Sequence, residues 1–198
     1  MNENIIALDI GGVCLSIHYD LFCRYFGFDG ISGIPGKIQQ AMEKYESGLI
    51  DDKEWLAAFR MATEGRFTDN EIIEGWNMII GSDMDGMPEL MLELVASGYR
   101  PIFFSDTSNI HIVEVYRKLS FASLVTGGVF SFKVKDRKPG AAMFNAFEAQ
   151  YGKPCFYIDD RPVNIQAGIR HGWNSHQFVS ANAIRQEMIL NSNFKRPL

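Results

Sequence analysis

The chain has 198 residues and a formal net charge of −5, and 46% of its residues are hydrophobic. The acidic balance argues against a basic nucleic-acid-binding protein, and the composition is that of a globular chain long enough to bury a sizeable core. Length alone suggests one domain, or one domain that carries an insertion. Cys14, Cys23 and Cys155 have no CxxC spacing, which argues against a disulfide framework or a zinc site. Residues 1–12 lack the pattern of a signal peptide, and no apolar run approaches the roughly 20 residues of a membrane span, so we expect a cytoplasmic protein without a membrane partner.

Short and almost continuous apolar runs predict buried β-strands, which alternate with helical patterns from the second strand onward. The predicted strands are 5–9, 101–105, 129–132, 155–158 and 175–179. The predicted helices are 88–97, 109–119, 139–151, 162–171 and 181–190. Several helix ends are marked by a first-turn proline or a glycine just beyond the end, namely Pro88, Pro139, Pro162, Gly98, Gly152 and Gly172. This alternation predicts an α/β fold, a Rossmann-like parallel sheet with helices on both faces.

The segment between the first two predicted strands contains no convincing strand. Apolar residues recur along it at the spacing of one helical face, as in Leu21/Phe22/Tyr25/Phe26, Ile38/Met42/Tyr45, Trp55/Leu56/Phe59 and Ile72/Ile73/Trp76/Ile80. Asp51 with Glu54, and Thr68 with Glu71, have the spacing of capping boxes. We therefore predict an all-helical insertion of residues 17–81 in an α/β core of residues 1–16 and 82–198. Its aromatic residues are expected to form a packed core instead of a cofactor site.

Polar residues follow the predicted strands where ligands bind in open parallel sheets, beyond the carboxyl ends. They are Asp9, Gly11 and Gly12 after the first strand, Ser105 and Asp106 at the end of the second, Lys138 before a helix, and Asp159 and Asp160 after the fourth. Each of them alone could be a turn residue, a helix cap or a solvated charge. Several carboxylates at one edge repel each other unless a cation joins them, and oxygen ligands suit Mg²⁺.

A cation beside a carboxylate, a hydroxyl, backbone amides and a lysine can bind a phosphoryl group and stabilise its charge during transfer. Asp9 is then the nucleophile, because a carboxylate can form an aspartyl-phosphate. Lys138 is expected to neutralise the phosphoryl oxygens and to keep Asp9 ionised. The Ser105 hydroxyl and the Asp106 backbone N–H are expected to donate hydrogen bonds to the same oxygens.

These motifs, taken in order, resemble those of the haloacid dehalogenase superfamily. The corresponding residues are Asp9-Ile10-Gly11-Gly12-Val13, Ser105, Lys138-Pro139 and Asp159-Asp160, with Asn164 after the acidic pair. The helical insertion resembles the C1 cap of subfamily I, and Tyr45-Glu46-Ser47-Gly48-Leu49-Ile50 resembles a recurring sequence of that cap. The resemblance covers essentially the whole chain.

The resemblance implies Mg²⁺ as the cofactor, held by the Asp9 carboxylate, the Gly11 carbonyl and the pair Asp159 and Asp160, of which Asp159 is the expected direct ligand. It also shows one departure. The residue two positions after the nucleophile is normally an Asp that protonates the leaving group and activates water, and here it is Gly11. A branch that resembles bacterial glucose-1-phosphatases shares this glycine and has a histidine where this chain has His111.

The motifs predict a Mg²⁺-dependent phosphatase of small phosphorylated metabolites of the sugar-phosphate type. Two alternatives stay open, a catalytically weak protein that binds a phosphorylated ligand or a protein partner, and hydrolysis of a phosphonate or carbon–halogen bond. None of the insertion lysines Lys37, Lys44 and Lys53 stands out as a Schiff-base former. The insertion is expected to move over the sheet edge on hinges near 12–16 and 81–86. The substrate and the oligomeric state cannot be derived from the sequence.

Overall fold

The computed structural model describes residues 4–191. The strands are β1 (Ile5–Leu8), β2 (Leu15–Ile17), β3 (Ile80–Asp83), β4 (Arg100–Ser105), β5 (Gly128–Phe130), β6 (Phe156–Asp159) and β7 (Ser175–Gln177). The α-helices are α1 (Tyr19–Phe26), α2 (Gly36–Glu46), α3 (Asp52–Ala62), α4 (Asp69–Asn77), α5 (Met87–Ala96), α6 (Asn109–Lys118), α7 (Ser131–Val134), α8 (Ala141–Tyr151), α9 (Pro162–Arg170) and α10 (Ala181–Asn191). Two short 3₁₀ turns lie at Ile31–Gly33 and Ala122–Leu124. Within residues 4–191, no helix is both long enough and apolar enough to cross a membrane.

Five parallel strands form the main sheet, in the order β5-β4-β1-β6-β7. Side chains of a strand alternate between the two faces of a sheet, so each face of β1 belongs to a different hydrophobic layer. Ile6 and Leu8 pack in one layer, while Ile5 and Ala7 pack in the other. Helices cover both layers, because parallel neighbours are joined by crossover connections. The predicted α/β fold with a doubly covered parallel sheet is confirmed.

Helices α1 to α4 enclose a third hydrophobic cluster of their own. Its largest buried side chains are aromatic and include Phe22, Phe26, Tyr45, Trp55, Phe59 and Trp76. Both predicted capping boxes are present, at the starts of α3 and α4. In the first of them, the Asp51 carboxylate accepts a hydrogen bond from the Glu54 N–H at 2.8 Å, which satisfies a backbone donor that the first helical turn leaves free. The aromatic residues therefore form a packed core, as predicted.

The prediction of no strand between residues 9 and 101 is wrong at both ends of the helical segment. Strands β2 and β3 pair there as an antiparallel ribbon, with Leu15 opposite Asp83 and Ile17 opposite Ile80. The ribbon is too short to show an alternating pattern, and Gly81 interrupts it. A side chain at Gly81 would collide with the side chains of Ser16 in β2 and of His18, which directly follows β2, so this close approach favours a glycine. The expected hinges and the proposed boundaries after residues 16 and 81 fall on this ribbon, and cap movement stays a prediction.

Three smaller features also differ from the sequence-based expectation. Strand β5 ends at Phe130 instead of residue 132, and α7 follows it directly. The Ser131 hydroxyl at the start of α7 accepts a hydrogen bond of 2.9 Å from the Thr107 N–H. Pro139 precedes α8 by two residues and does not lie in its first turn. The apolar stripe of α4 ends before Ile80, which lies in β3. Contacts between distant segments decide these positions, and a local pattern does not contain them.

Candidate active site

The motif residues meet at one edge of the main sheet, around a cavity of about 390 Å³. The central strand β1 lies between β4 and β6, so the residues at the carboxyl ends of all three strands become neighbours. The cavity is lined from the sheet side by a group that we call the floor, which consists of Asp9, Gly11, Ser105, Asp106, Lys138 and Asp160. Asp159 lies directly behind the floor and is fully buried. The structure therefore brings together every site residue that the sequence predicts.

Lys138 is the central charge of the floor. Its Nζ lies 3.1 Å from Asp9 Oδ1 and 2.6 Å from Asp159 Oδ2, and it donates a hydrogen bond of 2.8 Å to the Phe104 carbonyl. Burial alone would lower the pKa of Lys138, but the two carboxylates raise it well above its usual value. The lysine is therefore a fixed positive charge in the cavity wall.

Asp9 is almost completely buried at the end of β1. Its Oδ1 accepts a hydrogen bond of 2.7 Å from the Ile10 N–H, and the Ser105 hydroxyl also bonds to the carboxyl group. Burial raises the pKa of Asp9 to about 7, an effect that Lys138 opposes and Asp159 reinforces. A cation bound beside Asp9 would favour its ionised form.

The two adjacent aspartates differ in their surroundings. Asp159 accepts hydrogen bonds from Lys138 Nζ, from the Tyr157 hydroxyl at 2.7 Å, from Asn164 Nδ2 at 3.0 Å and from the Arg161 N–H at 2.9 Å. Burial would raise the pKa of Asp159, but Lys138 and these donors hold it below its usual value. Its oxygens are thus occupied by protein donors.

Asp160, in contrast, lines the cavity and is only partly buried. Burial, with Asp159 nearby, raises its pKa. Gly12 makes room for it, since a Cβ at Gly12 would lie 2.6 Å from Asp160 Oδ2, and the φ of 73° there also favours glycine. Carboxylate oxygens of Asp9, Asp159 and Asp160 lie within 4.8 Å of one another. This all-oxygen donor set fits a hard divalent cation such as Mg²⁺.

The helical segment contributes a second group of lining residues, which were not among the predicted site residues and of which Tyr19 and Glu46 are polar. We call Tyr19 and Glu46 the roof of the cavity. The Glu46 side chain is 14% exposed, and its Oε2 lies 3.2 Å from a terminal nitrogen of Arg137. Arg137 also pairs with Asp106 of the floor at 3.5 Å, so it joins floor and roof. Burial raises the pKa of Glu46 to about 7, although Arg137 opposes this shift.

A local sequence feature positions Glu46. The Ser131 hydroxyl lies 2.5 Å from the Glu46 carbonyl oxygen, and a side chain at Gly48 would collide with the backbone of Phe132. Gly48 has a φ of 64°, a second reason for glycine at that position. Gly48, within the run 45–50, thus allows the end of α2 to dock against the core, and this docking places Glu46 in the cavity. That run was the sequence signal for Glu46, whereas nothing in the sequence pointed to Arg137 or Tyr19.

Comparison of whole folds gives close structural neighbours. A HAD family enzyme from Bacteroides thetaiotaomicron superposes with a TM-score of 0.80 at 20% identity and covers 89% of this chain and 94% of its own. A HAD-like family hydrolase from Porphyromonas gingivalis gives a TM-score of 0.77 at 18% identity, over 98% of this chain and 100% of its own. This chain has the haloacid dehalogenase (HAD) fold. The Bacteroides enzyme was also crystallised with magnesium and inorganic phosphate, and that structure superposes with a TM-score of 0.77.

A comparison of sequences gives a curated relative as well. Flavin mononucleotide hydrolase 1 of Arabidopsis thaliana, a chloroplast protein, is 26% identical over 155 residues. The match covers 73% of this chain but only 59% of the Arabidopsis protein. No protein-family model matches the chain. The C1 subfamily and the glucose-1-phosphatase branch stay predictions.

Gly11 is the position at which this HAD-fold chain departs from the motif. Its φ lies outside the left-handed region, so the backbone accepts a side chain there. A Cβ at Gly11 would lie 3.2 Å from two carbons of the Ile17 side chain, which would have to shift slightly. The glycine is therefore not required by backbone conformation.

His111 lines the cavity but is committed to packing. Its ring stacks on Trp76 at 4.2 Å, and its Nε2 lies 2.9 Å from the Trp76 carbonyl, which requires the proton on that nitrogen. Burial lowers the pKa of His111 to about 4, so the ring is neutral at pH 7. This residue joins α6 to α4 and is not placed to act as an acid. The three insertion lysines are exposed, and none of them is among the residues that line the cavity.

Proposed function

We propose that this chain is a Mg²⁺-dependent phosphatase that hydrolyses small phosphorylated metabolites through an aspartyl-phosphate on Asp9. One observation carries the proposal, namely the buried Asp9 carboxylate held beside Lys138 at the floor of a 390 Å³ cavity, with Asp160 open to the same space. The Arabidopsis relative, named as a flavin mononucleotide hydrolase, and the Bacteroides neighbour with bound magnesium and phosphate support it.

The residues that would hold Mg²⁺ are Asp9, Asp160 and the Gly11 carbonyl. We favour Asp160 over Asp159 as the direct ligand, because Asp159 is occupied by protein donors and Asp160 lines the cavity. Asp159 then acts as the positioning residue of Lys138. When bound, the cation offsets the repulsion between the carboxylates and the phosphoryl oxygens.

The chain's own groups supply the nucleophile and the stabilising charges for both halves of the reaction. A carboxylate oxygen of Asp9 attacks phosphorus, and the bond between phosphorus and the leaving oxygen breaks. Lys138, the Ser105 hydroxyl and the Asp106 N–H stabilise the phosphoryl oxygens during transfer. Water then attacks phosphorus, phosphate leaves, and the Asp9 carboxylate is restored.

The roof supports a polar leaving group of the sugar-phosphate type. Tyr19 and Glu46 offer a hydroxyl and a carboxyl group to the part of the substrate that extends from the phosphate. Such groups pair with substrate hydroxyls, and a purely apolar leaving group would leave them unpaired. A flavin phosphate is the competing candidate, which the name of the Arabidopsis relative supports.

The test is phosphate release from p-nitrophenyl phosphate, glucose 1-phosphate and flavin mononucleotide, each with Mg²⁺ or with EDTA. We expect hydrolysis that EDTA abolishes, with glucose 1-phosphate preferred over flavin mononucleotide. Asp85→Asn serves as a control, because Asp85 is exposed and lies outside the cavity lining. Ligand binding without turnover would instead favour the weak-binder alternative, and activity that EDTA leaves unchanged would contradict the proposal.

A further inference from the structure

The proposed reaction leaves one proton without a donor. An alkyl or sugar leaving group departs as an alkoxide unless an acid protonates it, and a positioned acid typically contributes about 10²–10⁴-fold to the rate. The resemblance places this acid two residues after the nucleophile, where this chain has Gly11. A phosphatase built on this floor therefore needs an acid from elsewhere in the cavity.

We propose that Glu46 of the roof is the general acid and base that replaces the missing carboxylate at position 11. The inference rests on the proposed phosphatase function and deepens it. It assigns a catalytic role to a residue of the helical segment, whose other polar contribution to the cavity lining is Tyr19.

In-line attack by Asp9 directs the leaving oxygen away from the sheet edge. In phosphoryl transfer, the attacking and leaving oxygens lie roughly in line on opposite sides of phosphorus. Asp9 approaches from the sheet edge, so the leaving group extends away from the sheet and toward the helical segment. Glu46 lines the cavity from that segment and is held there by its ion pair with Arg137 at 3.2 Å.

The other acidic groups of the cavity have other roles, since Asp9 is the proposed nucleophile and Asp160 a proposed ligand of the cation. Asp106 accepts a hydrogen bond from the backbone N–H of Lys138 and pairs with Arg137. His111 donates its proton to a carbonyl, as described above. Burial raises the pKa of Tyr19 to about 12, which makes it a weak acid at neutral pH.

The charges around Glu46 suit a group that must both give and take a proton. Burial raises its pKa to about 7; Asp106 and Glu43 reinforce the shift, whereas Arg137 and Arg161 oppose it. The Tyr19 hydroxyl also lies close enough to interact with it. Near neutral pH, both forms of Glu46 are then populated, as general acid–base catalysis requires.

The two half-reactions balance with Glu46 as the only proton carrier. As Asp9 bonds to phosphorus, the Glu46 carboxyl proton moves to the departing oxygen, which leaves as a neutral alcohol. The Glu46 carboxylate, paired with Arg137, then takes a proton from the water that attacks phosphorus. The bond between phosphorus and Asp9 breaks, hydrogen phosphate leaves, and both residues return to their starting forms.

The test compares two substrates in Glu46→Gln, with Glu89→Gln, at an exposed position of α5 outside the cavity lining, as the matched control. The ratio kcat/KM covers the steps through departure of the leaving group. We expect Glu46→Gln to lower kcat/KM for glycerol 3-phosphate about 10²-fold, and for p-nitrophenyl phosphate less than about threefold, because p-nitrophenolate needs no proton. Adding Gly11→Asp to Glu46→Gln should restore most of the lost glycerol 3-phosphate activity, which a purely structural role of Glu46 would not allow.

The parent protein provides a second measurement that needs no variant. Because the first step uses protonated Glu46, kcat/KM for glycerol 3-phosphate should fall as the pH rises above about 7, and p-nitrophenyl phosphate should not show this fall. Equal losses for both substrates in Glu46→Gln, or identical pH profiles in the parent, would overturn the role of Glu46. A parent without Mg²⁺-dependent activity on any phosphate ester would refute the phosphatase proposal itself, before any variant is made.

Discussion

The floor and the roof of the cavity are built on different principles. On the floor, Lys138 lies in direct contact with Asp9 and Asp159, and Asp106 pairs with Arg137, whereas Asp160 faces the cavity. The roof presents two polar side chains from a segment whose interior is an aromatic cluster, and one ion pair joins it to Arg137. In the proposed function, the floor therefore holds the nucleophile and the phosphate, and the roof contacts the leaving group.

The largest expected effect is on the floor. Asp9→Asn keeps the shape of the side chain and removes the nucleophilic charge, so kcat should fall on the order of 10³-fold or more. Lys138 keeps its contact with Asp159, and the fold should survive. The measurement is phosphate release with Mg²⁺, together with thermal unfolding. Asp29→Asn, at an exposed position, is the control, and a variant at the parent rate would exclude Asp9 as the nucleophile.

The next prediction separates the two adjacent aspartates. Asp159→Asn leaves the buried Lys138 with one carboxylate fewer, and breaking such a pair should lower the free energy of unfolding by about 3 kcal/mol. Asp160→Asn should change stability by less than about 1 kcal/mol and should instead weaken Mg²⁺ binding, because Asp160 is the less buried of the two and faces the cavity. Urea unfolding and calorimetric titration with Mg²⁺ measure the two effects. The reverse pattern would make Asp159 the metal ligand.

The junction between roof and core should show a dependence of stability on pH. The pKa of His111 is lowered from 6.5 to about 4, so the unfolded chain binds a proton in this window and the folded chain does not. The contribution of neutral His111 to the free energy of unfolding is complete above pH 6.5. It is lost as the pH falls toward 4, by up to about 3 kcal/mol. His111→Gln, whose amide can still donate to the Trp76 carbonyl, should flatten this slope.

Glu46 changes the free energy of unfolding with pH in the opposite direction. Because its pKa is raised, its contribution to stability is complete below pH 4.5 and is lost as the pH rises through about 7. For that reason, the quantity to compare is the difference between parent and His111→Gln across pH 4 to 7, in which the effect of Glu46 cancels. His18→Gln, at a half-exposed histidine that directly precedes α1, is the control. A difference that does not change with pH would show that His111 is not buried in its neutral form.

The smallest effect is expected at Gly11. Gly11→Asp restores a carboxylate on the floor, but in the parent background Glu46 already supplies the proton. The gain in kcat/KM for glycerol 3-phosphate should therefore stay below about threefold, in contrast to the large gain in Glu46→Gln. A gain of about 10² in the parent background would mean that the roof contributes no acid.

The sequence predicted the floor better than the roof for a physical reason. Floor residues follow strands directly, so a short apolar run ending in Asp9 or Ser105 shows both the element and the edge on which its polar group lies. Asp159 and Asp160 are adjacent in sequence, yet only the structure shows that one contacts Lys138 and the other faces the cavity.

Roof positions depend on how one segment docks against another. The helical faces of the insertion were visible because their aromatic residues recur at helical spacing. Which residue of α2 reaches the cavity is decided by the contacts of Gly48 with Phe132 and of Glu46 with Ser131, across more than 80 residues of chain. The ribbon strands were missed for the same reason, since each is defined only by its pairing with the other.

The ribbon has a consequence for how proteins with this architecture can diversify. The chain enters the helical segment through β2 and leaves it through β3, and paired strands lie about 5 Å apart. The two ends of the segment are thus neighbours, so a longer, shorter or unrelated insert can be exchanged at this point without displacing a strand of the main sheet. Under the proposed function, selection can in this way rebuild the choice of leaving group and the acid in one module, while the nucleophile Asp9 and Lys138 are kept in the other.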